Sequence, residues 1–463
     1  MAASLGRRLY GRLPIPLQNV ACTVEGARLR RLRFGGSFQR RLAWLRETER
    51  WSAERARAHQ DEAVRDLVRR AAGRVPYYRD LFRRAGVDLG AVRGVDDLGG
   101  LPLLTKEDVR EHREALVAED ADRRSLVEVR TSGTTGKSLR FWQEPEAIRF
   151  RWAVWWRHRE RYGARFGERH ATFTGYSLVD PGRDRPPYWR ENRALAQTLF
   201  PMHHVTRDKV PAIVDRLDRG GYAYLSGYPS ILAVLAGEML ELGRTLATPP
   251  RAVFTGAETL HEHQRAAMEA AFGCPVTDQY GFSEGCGNAS RCPEGDVFHE
   301  DVEFGVLECL DPEPLPGGRV RGRIVATGFA DKAMPFLRYE VGDVGVWREG
   351  PCVCGRATPV LERIEGRVED YVTTPEGARV LRFDYVFKDA ESVVEAQVVQ
   401  RRLGEVVLRV VRRPGYGEPD EAHLREAVHS KVSPRLDVAF EYVDRLEREP
   451  GGKVRAVKSL LPR

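Results

Sequence analysis

Val129–Phe141 reads V-R-T-S-G-T-T-G-K-S-L-R-F. Within it, Thr131, Ser132, Gly133, Thr134, Thr135, Gly136 and Lys137 place four hydroxyls, two glycines and a lysine in consecutive positions. Glycine permits positive φ and close backbone approach, so successive N–H groups can converge on one anion. The hydroxyls add donors and the lysine adds a positive charge, which together equip a loop to grip a polyphosphate. The spacing is not that of a Walker A loop, because Thr131 stands where that motif needs its first glycine.

Working outward, T-G-A-E-T spans Thr255–Thr259 and Q-Y-G-F-S-E-G spans Gln279–Gly285. L-R-Y-E-V-G-D follows at Leu337–Asp343, E-G-R-V-E-D at Glu365–Asp370 and E-P-G-G-K-V-R at Glu449–Arg455. In this order the motifs resemble those of the adenylate-forming enzymes: acyl-CoA ligases, luciferases and peptide-synthetase adenylation domains. V-P-Y-Y-R at Val75–Arg79, L-P-L-L-T-K at Leu101–Lys106 and S-G-Y-P-S at Ser226–Ser230 narrow the resemblance. It points to the phenylacetate–CoA ligase branch, with its capsular-polysaccharide-associated and coenzyme F390 synthetase-like members, and covers nearly the whole chain.

The resemblance implies roles. Thr131–Lys137 would close over the β- and γ-phosphates of ATP. Glu284 matches the acidic position that holds Mg²⁺, a hard ion that prefers carboxylate and phosphate oxygens. Tyr280, followed by Gly281, offers an aromatic face for adenine or is a core tyrosine. Gly256, Ala257 and Glu258 would form the opposing wall. Asp343 matches a carboxylate that accepts from both ribose hydroxyls, and Arg367 an arginine reaching ribose or phosphate. Lys453 matches the lysine that enters the site when a small C-terminal domain closes, bridging the acid and the α-phosphate. Two departures weaken the second half-reaction. Glu369 stands where many relatives carry a hinge aspartate or lysine. The following Y-V-T-T-P-E-G-A-R-V lacks the usual glycine-rich passage for the CoA arm.

The implied activity is ATP-dependent, AMP-forming activation of a small carboxylic acid, with CoA as default acceptor. Transfer to an amine, hydroxyl or carrier protein is the alternative, and a non-catalytic nucleotide-binding protein is a third. The identity of the acid stays open. R-W-A-V-W-W at Arg151–Trp156, with Phe173, Tyr176 and Tyr228, admits two readings, an aryl pocket or a core cluster.

A chain of 463 residues exceeds what one core usually serves. The expected fold is α/β: a large N-terminal domain over 1–366 with parallel-type sheets, helices and a β-rich subdomain, and a small, rotating α+β domain over 367–463. Residues 1 to about 120 read as helical, with Trp44–Val68 one amphipathic run. Short strands are expected at Ala171–Thr174, Ala223–Leu225, Ala252–Phe254 and Val276–Asp278, alternating with helices at Ile213–Leu217, Ile231–Leu242 and His261–Phe272. Glu308–Val360 reads as a smaller β-rich subdomain. Two motifs directly follow predicted strands, where open α/β sheets bind ligands.

The net charge of +7 is carried by arginines spread along the chain, densest at Arg28–Arg41. That stretch reads as a solvated helical face, and no nucleic-acid module accompanies it. No apolar run is long enough for a transmembrane helix, and the N-terminus lacks an apolar leader, so a cytoplasmic protein is expected. The seven cysteines form no disulfide framework. Cys292, His299, Cys352 and Cys354 instead offer three thiols and an imidazole for structural zinc, with Cys286 a possible substitute for Cys292. H-E-H at His261–His263 reads as the start of a surface helix.

Overall fold

The computed structural model describes residues 10–130, 139–365, 371–380, 383–387, 390, 392–413, 415–447 and 457–461. The chain opens with helices α1 (Ile15–Phe34), α2 (Phe38–Thr48), α3 (Ala53–Arg74), α4 (Pro76–Ala85) and α5 (Lys106–Glu111). The single helix expected over Trp44–Val68 is broken. Ser52 caps α3, its hydroxyl accepting from the N–H of Arg55 at 3.3 Å, and an N-cap residue is itself non-helical. Helix α3 ends at Arg74, just before Pro76, and Pro76 begins α4, where its missing N–H costs nothing.

After the hairpin β1 (Val127–Arg130) and β2 (Arg140–Gln143) comes α6 (Pro145–Arg161). An alternating stretch follows: β3 (His170–Thr174), β4 (Arg190–Asn192), β5 (Gln197–Pro201), α7 (Val210–Gly220), β6 (Tyr224–Gly227), α8 (Pro229–Glu241), β7 (Ala252–Gly256), α9 (Glu262–Phe272) and β8 (Val276–Gly281). The expected strands and helices of this region are all present. The chain then runs through β9 (Asn288–Arg291), β10 (Phe298–Glu300), β11 (Gly305–Leu315), β12 (Arg319–Gly328), β13 (Tyr339–Arg348) and β14 (Val360–Glu365).

These strands form one twelve-stranded sheet, ordered β11-β12-β13-β14-β10-β9-β8-β7-β6-β3-β5-β4. The expected β-rich segment supplies β11–β14, which continue this sheet past β9 and β10. Strand β9 folds back antiparallel on β8, pairing Gln279 with Ser290 and Gly281 with Asn288. The loop carrying F-S-E-G is thus the turn at which a parallel sheet becomes antiparallel. Alternation along the strands sorts the two faces. Tyr224, Ala252 and Phe254 pack under α2 and α6, whereas Leu225, Val253 and Val276 pack under α7, α8 and α9.

A four-stranded sheet lies near the C-terminus: β17 (Val393–Gln400), β18 (Glu405–Arg412), β19 (Asp437–Tyr442) and β20 (Val457–Ser459), ordered β19-β18-β17-β20, with α11 (Glu418–Lys431). It is preceded by the ribbon β15 (Val372–Thr373) and β16 (Arg379–Val380) and the short α10 (Asp384–Phe387). The buried side chains of this unit join those of α7–α9 in one cluster. The expected boundary between 366 and 367 falls outside the described residues.

Candidate active site

The carboxyl ends of β7 and β8 carry the turns that the sequence singled out. Gly256 ends β7, and Ala257 follows with φ of 67°, a left-handed conformation costly for a residue with a side chain. Glu258 holds this turn to the start of α8 by accepting from the N–H of Ser230 at 3.2 Å. At the end of β8, a Cβ on Gly281 would sit 2.8 Å from Asn288 Oδ1, so only glycine lets the turn close there.

Tyr280 donates from its phenol to Asp343 Oδ2 at 3.1 Å. The residues expected to meet adenine and ribose are therefore joined across 63 positions of sequence. Burial, and then the Asp343 charge, hold the phenol well above its ordinary range, so Tyr280 remains a donor. Glu284 is 7% exposed, and Tyr339 donates to its Oε1 at 2.6 Å. The loop backbone is fixed as well: Gln143 donates to the Glu284 carbonyl at 2.9 Å and Arg151 to the Ser283 carbonyl at 2.8 Å. One carboxylate oxygen is thus tethered on a rigid turn, which suits a ligand for a divalent cation.

Thr131, Ser132, Gly133, Thr134, Thr135, Gly136 and Lys137 lie outside the described residues, as do Arg367, Glu369 and Lys453. The strands flanking the first group pair antiparallel, with Arg130 opposite Arg140.

The second constellation comes together. One ligand atom from each of Cys292, His299, Cys352 and Cys354 lies within 4.8 Å of the other three. Cys352 and Cys292 Sγ are 3.9 Å apart, and Cys354 Sγ is 3.3 Å from His299 Nε2. A tetrahedral zinc with bonds of about 2.3 Å has edges of about 3.8 Å, so the donor set fits that ion. The other ring nitrogen of His299 meets the Thr358 hydroxyl at 3.0 Å, the kind of contact that orients a metal-ligating imidazole. Burial, and then the Arg356 charge, push His299 down to about 4, which keeps the ring neutral. A Cβ on Gly295 would lie 2.3 Å from Cys352 Sγ. Cys286 belongs elsewhere, in the core under β11 and β12, which resolves that alternative in favour of Cys292.

The aromatic cluster divides. Trp156 is buried core, 4% exposed, and Phe173 stacks on Phe200 in the core of the opposite face. Trp152 and Trp155 are half-buried against each other, with centroids 4.9 Å apart, and Trp155 donates to Asn288 Oδ1 at 3.0 Å. Tyr176 is exposed and Tyr228 half-buried. At H-E-H, His261 is the N-cap of α9. Being outside the helix, it stacks its ring on that of His263, with centroids 5.6 Å apart, rather than diverging as two helical residues would.

Sequence reasoning missed Tyr339, Arg151 and Thr358. Tyr339 could have been found: it lies within the L-R-Y-E-V-G-D motif, four residues before Asp343. Arg151 and Thr358 carry no local signal, because their partners are remote in sequence.

Residues 372–460 match the family described as the CapK C-terminal domain. Protein CapK of Staphylococcus aureus is 24% identical over 96% of this chain and 98% of that protein. A phenylacetate-coenzyme A ligase of Thermus thermophilus is 31% identical over 89% of this chain and 98% of that protein. Among solved structures, 2-hydroxyisobutyryl-CoA ligase in complex with 2-HIB-AMP and CoA superposes with a TM-score of 0.56, at 20% identity over 89% of this chain and 91% of that one. The same ligase in its postadenylation state gives 0.54, over 89% and 90%. These structures share the fold.

Proposed function

Because the chain belongs to the phenylacetate–CoA ligase family of AMP-forming carboxylate ligases, we propose that it activates a carboxylic acid as its acyl-adenylate and transfers the acyl group to CoA. The observation that carries this reading is the convergence of Glu284–Tyr339 and Tyr280–Asp343 at the carboxyl end of β8.

A carboxylate is already nucleophilic, so the protein's work is alignment and charge neutralisation. Tyr280 and the Gly256–Glu258 turn would enclose adenine. Asp343, held by the Tyr280 phenol, would accept from the ribose hydroxyls with its remaining acceptor capacity. Thr131–Lys137 would bind the β- and γ-phosphates. Glu284 would hold Mg²⁺, which when bound neutralises phosphate charge and assists departure of pyrophosphate. Lys453, with Arg367, would enter from a C-terminal domain spanning 367–463 and steady the charge that gathers between acid and α-phosphate. Cys292, His299, Cys352 and Cys354 would hold zinc as four protein ligands, a closed set with a structural role.

A second reading keeps adenylation but gives the acyl group to an amine, hydroxyl or carrier protein. Glu369 and the missing glycine-rich passage after it favour this reading. A purely nucleotide-binding role would account for Glu284 and Asp343 but leaves Lys453 without purpose.

The test is ATP–pyrophosphate exchange over a panel of aryl, aliphatic and amino acids, followed by mass spectrometry of products formed with CoA or with amines. Acid-dependent exchange is expected. Its absence with every acid would overturn the ligase reading, and acyl transfer only to amines would select the second.

A further inference from the structure

The arginines of α6 fall into two groups. Arg149 pairs with Glu146 at 2.5 Å, Arg161 with Glu49 at 2.5 Å, and Arg157 with Asp301 and Glu303 at 2.6 Å each. Arg151 and Arg159 have no carboxylate partner among the described residues. Each donates instead to a main-chain carbonyl, Arg151 to Ser283 at 2.8 Å and Arg159 to Trp155 at 3.1 Å. Arg33, from α1, is likewise without a carboxylate partner among the described residues, its guanidinium 4.6 Å above the Trp152 ring.

Arg159 lies among aromatic rings. Its guanidinium lies 5.9 Å from the centroid of Trp152, 5.6 Å from that of Trp156 and 5.5 Å from that of Phe254. Register places Thr172 beside Ser226 and Ser226 beside Phe254 on the sheet face below α6. The Thr172 and Ser226 hydroxyls are 2.9 Å apart, and Gln197 donates to Thr172 at 2.8 Å. One layer nearer the carboxyl ends, the same face carries Gly256. The floor beneath the tryptophans is therefore small and polar, and Thr172, Ser226 and Gly256 are all half-buried.

Burial is the largest influence on all three unpaired guanidiniums. It holds Arg33 and Arg159 below the ordinary range and brings Arg151 down to about 10. The Glu284 and Asp331 charges oppose this at Arg151 and the Glu25 charge at Arg33, whereas no carboxylate does so at Arg159. Burying a cation without a counter-charge is unfavourable, so an anion reaching Arg159 would be stabilised by a group already desolvated. A single carboxylate cannot serve both Arg151 and Arg159. Arg151 stands at Ser283, beside the adenylation turn, and Arg159 lies two turns further along α6, about 12 Å along the axis.

We propose that the acid this chain activates carries a second anionic group, remote from the reacting carboxylate, and that Arg159 binds it beside Trp152. The proposal rests on the adenylation reading above. The reacting carboxylate would sit at the Ser283–Glu284 turn, the body of the acid along Trp152 and Trp155, and its far anionic end between the Arg159 guanidinium and the Thr172 and Ser226 hydroxyls. Charge-assisted hydrogen bonds to guanidinium are among the stronger polar contacts and reject analogues that leave them unmade.

The test uses the full chain and ATP–pyrophosphate exchange with matched acids: phenylacetate, 4-carboxyphenylacetate and 4-phosphonophenylacetate, and hexanoate beside adipate. At least one dianionic acid should exceed its monoanionic partner in kcat/KM by about 100-fold. Whether it is a carboxylate or a phosphonate identifies the anion. Arg159→Met should lower kcat/KM for that acid at least tenfold more than for its monoanionic partner, and Arg159→Lys should recover part of the difference. Thr172→Val, a near-isosteric change that removes a hydroxyl assigned to the far anionic end, carries the same test if Arg159→Met fails to fold. Monoanionic acids preferred throughout, or both members of a pair losing equally in the variants, would overturn the subsite while leaving the ligase reading intact. No exchange with any acid would overturn the ligase reading itself.

Discussion

Tyr339 donates a 2.6 Å hydrogen bond to Glu284 Oε1 across the sheet. The bond ties the turn after β8 to the strand that also carries Asp343. It leaves Glu284 Oε2 to serve a cation and fixes where that cation would stand.

Removing only the phenol oxygen tests this. Tyr339→Phe should raise the Mg²⁺ concentration for half-maximal pyrophosphate exchange about tenfold, since a hydrogen bond to a charged group is worth about 1.5–3 kcal/mol. Glu284→Gln should raise it further. A Mg²⁺ titration of Tyr339→Phe that overlays wild type would remove Tyr339 from the site.

Lys453→Ala should lower adenylate formation by about 10²–10³-fold, because the cation would act on charge that develops during attack. ATP binding measured by calorimetry should change little. Exchange near the wild-type rate would exclude Lys453 from the chemistry.

Fresh protein prepared without chelator should contain about one zinc per chain by elemental analysis. Cys352→Ser should lose the metal and lower the melting temperature, because the four ligands tie β9 and β10 to the segment between β13 and β14. Exchange activity should follow stability rather than vanish outright. Metal-free wild-type protein that melts like the original preparation would refute the centre.

Glu300 supplies a pH prediction. Burial pushes its carboxyl up to about 8, although Gln60 donates to it at 2.8 Å and favours the charged form. A raised pKa means the folded state holds a proton that the unfolded state releases above about 4.5. The associated stability is therefore fully present below that value and is lost as pH rises through about 8. Glu300→Gln, which stays neutral, should flatten the decline. Urea unfolding at pH 5.5 and 8.5 should show the variant gaining on wild type by a few kcal/mol at the higher pH. Equal slopes would show that Glu300 is not the group responsible.

Much of this protein was legible from local sequence. Alternating short strands and helices between residues 170 and 281 identified the parallel half of the sheet, because periods of two and 3.6 are local properties. The motif turns could be placed at strand ends for the same reason, and thiols and imidazole announced their chemistry before their distances were known. Tertiary structure alone decided the rest. It joined the β-rich segment to the parallel strands in one sheet through β9 and β10, since strand neighbours are set by long-range pairing. It brought Tyr339 to Glu284, 55 positions away. It also divided the arginines of α6 into those that meet carboxylates and those that donate to main-chain carbonyls, Arg151 and Arg159. In sequence these residues are alike; they differ only in what the rest of the chain folds against them.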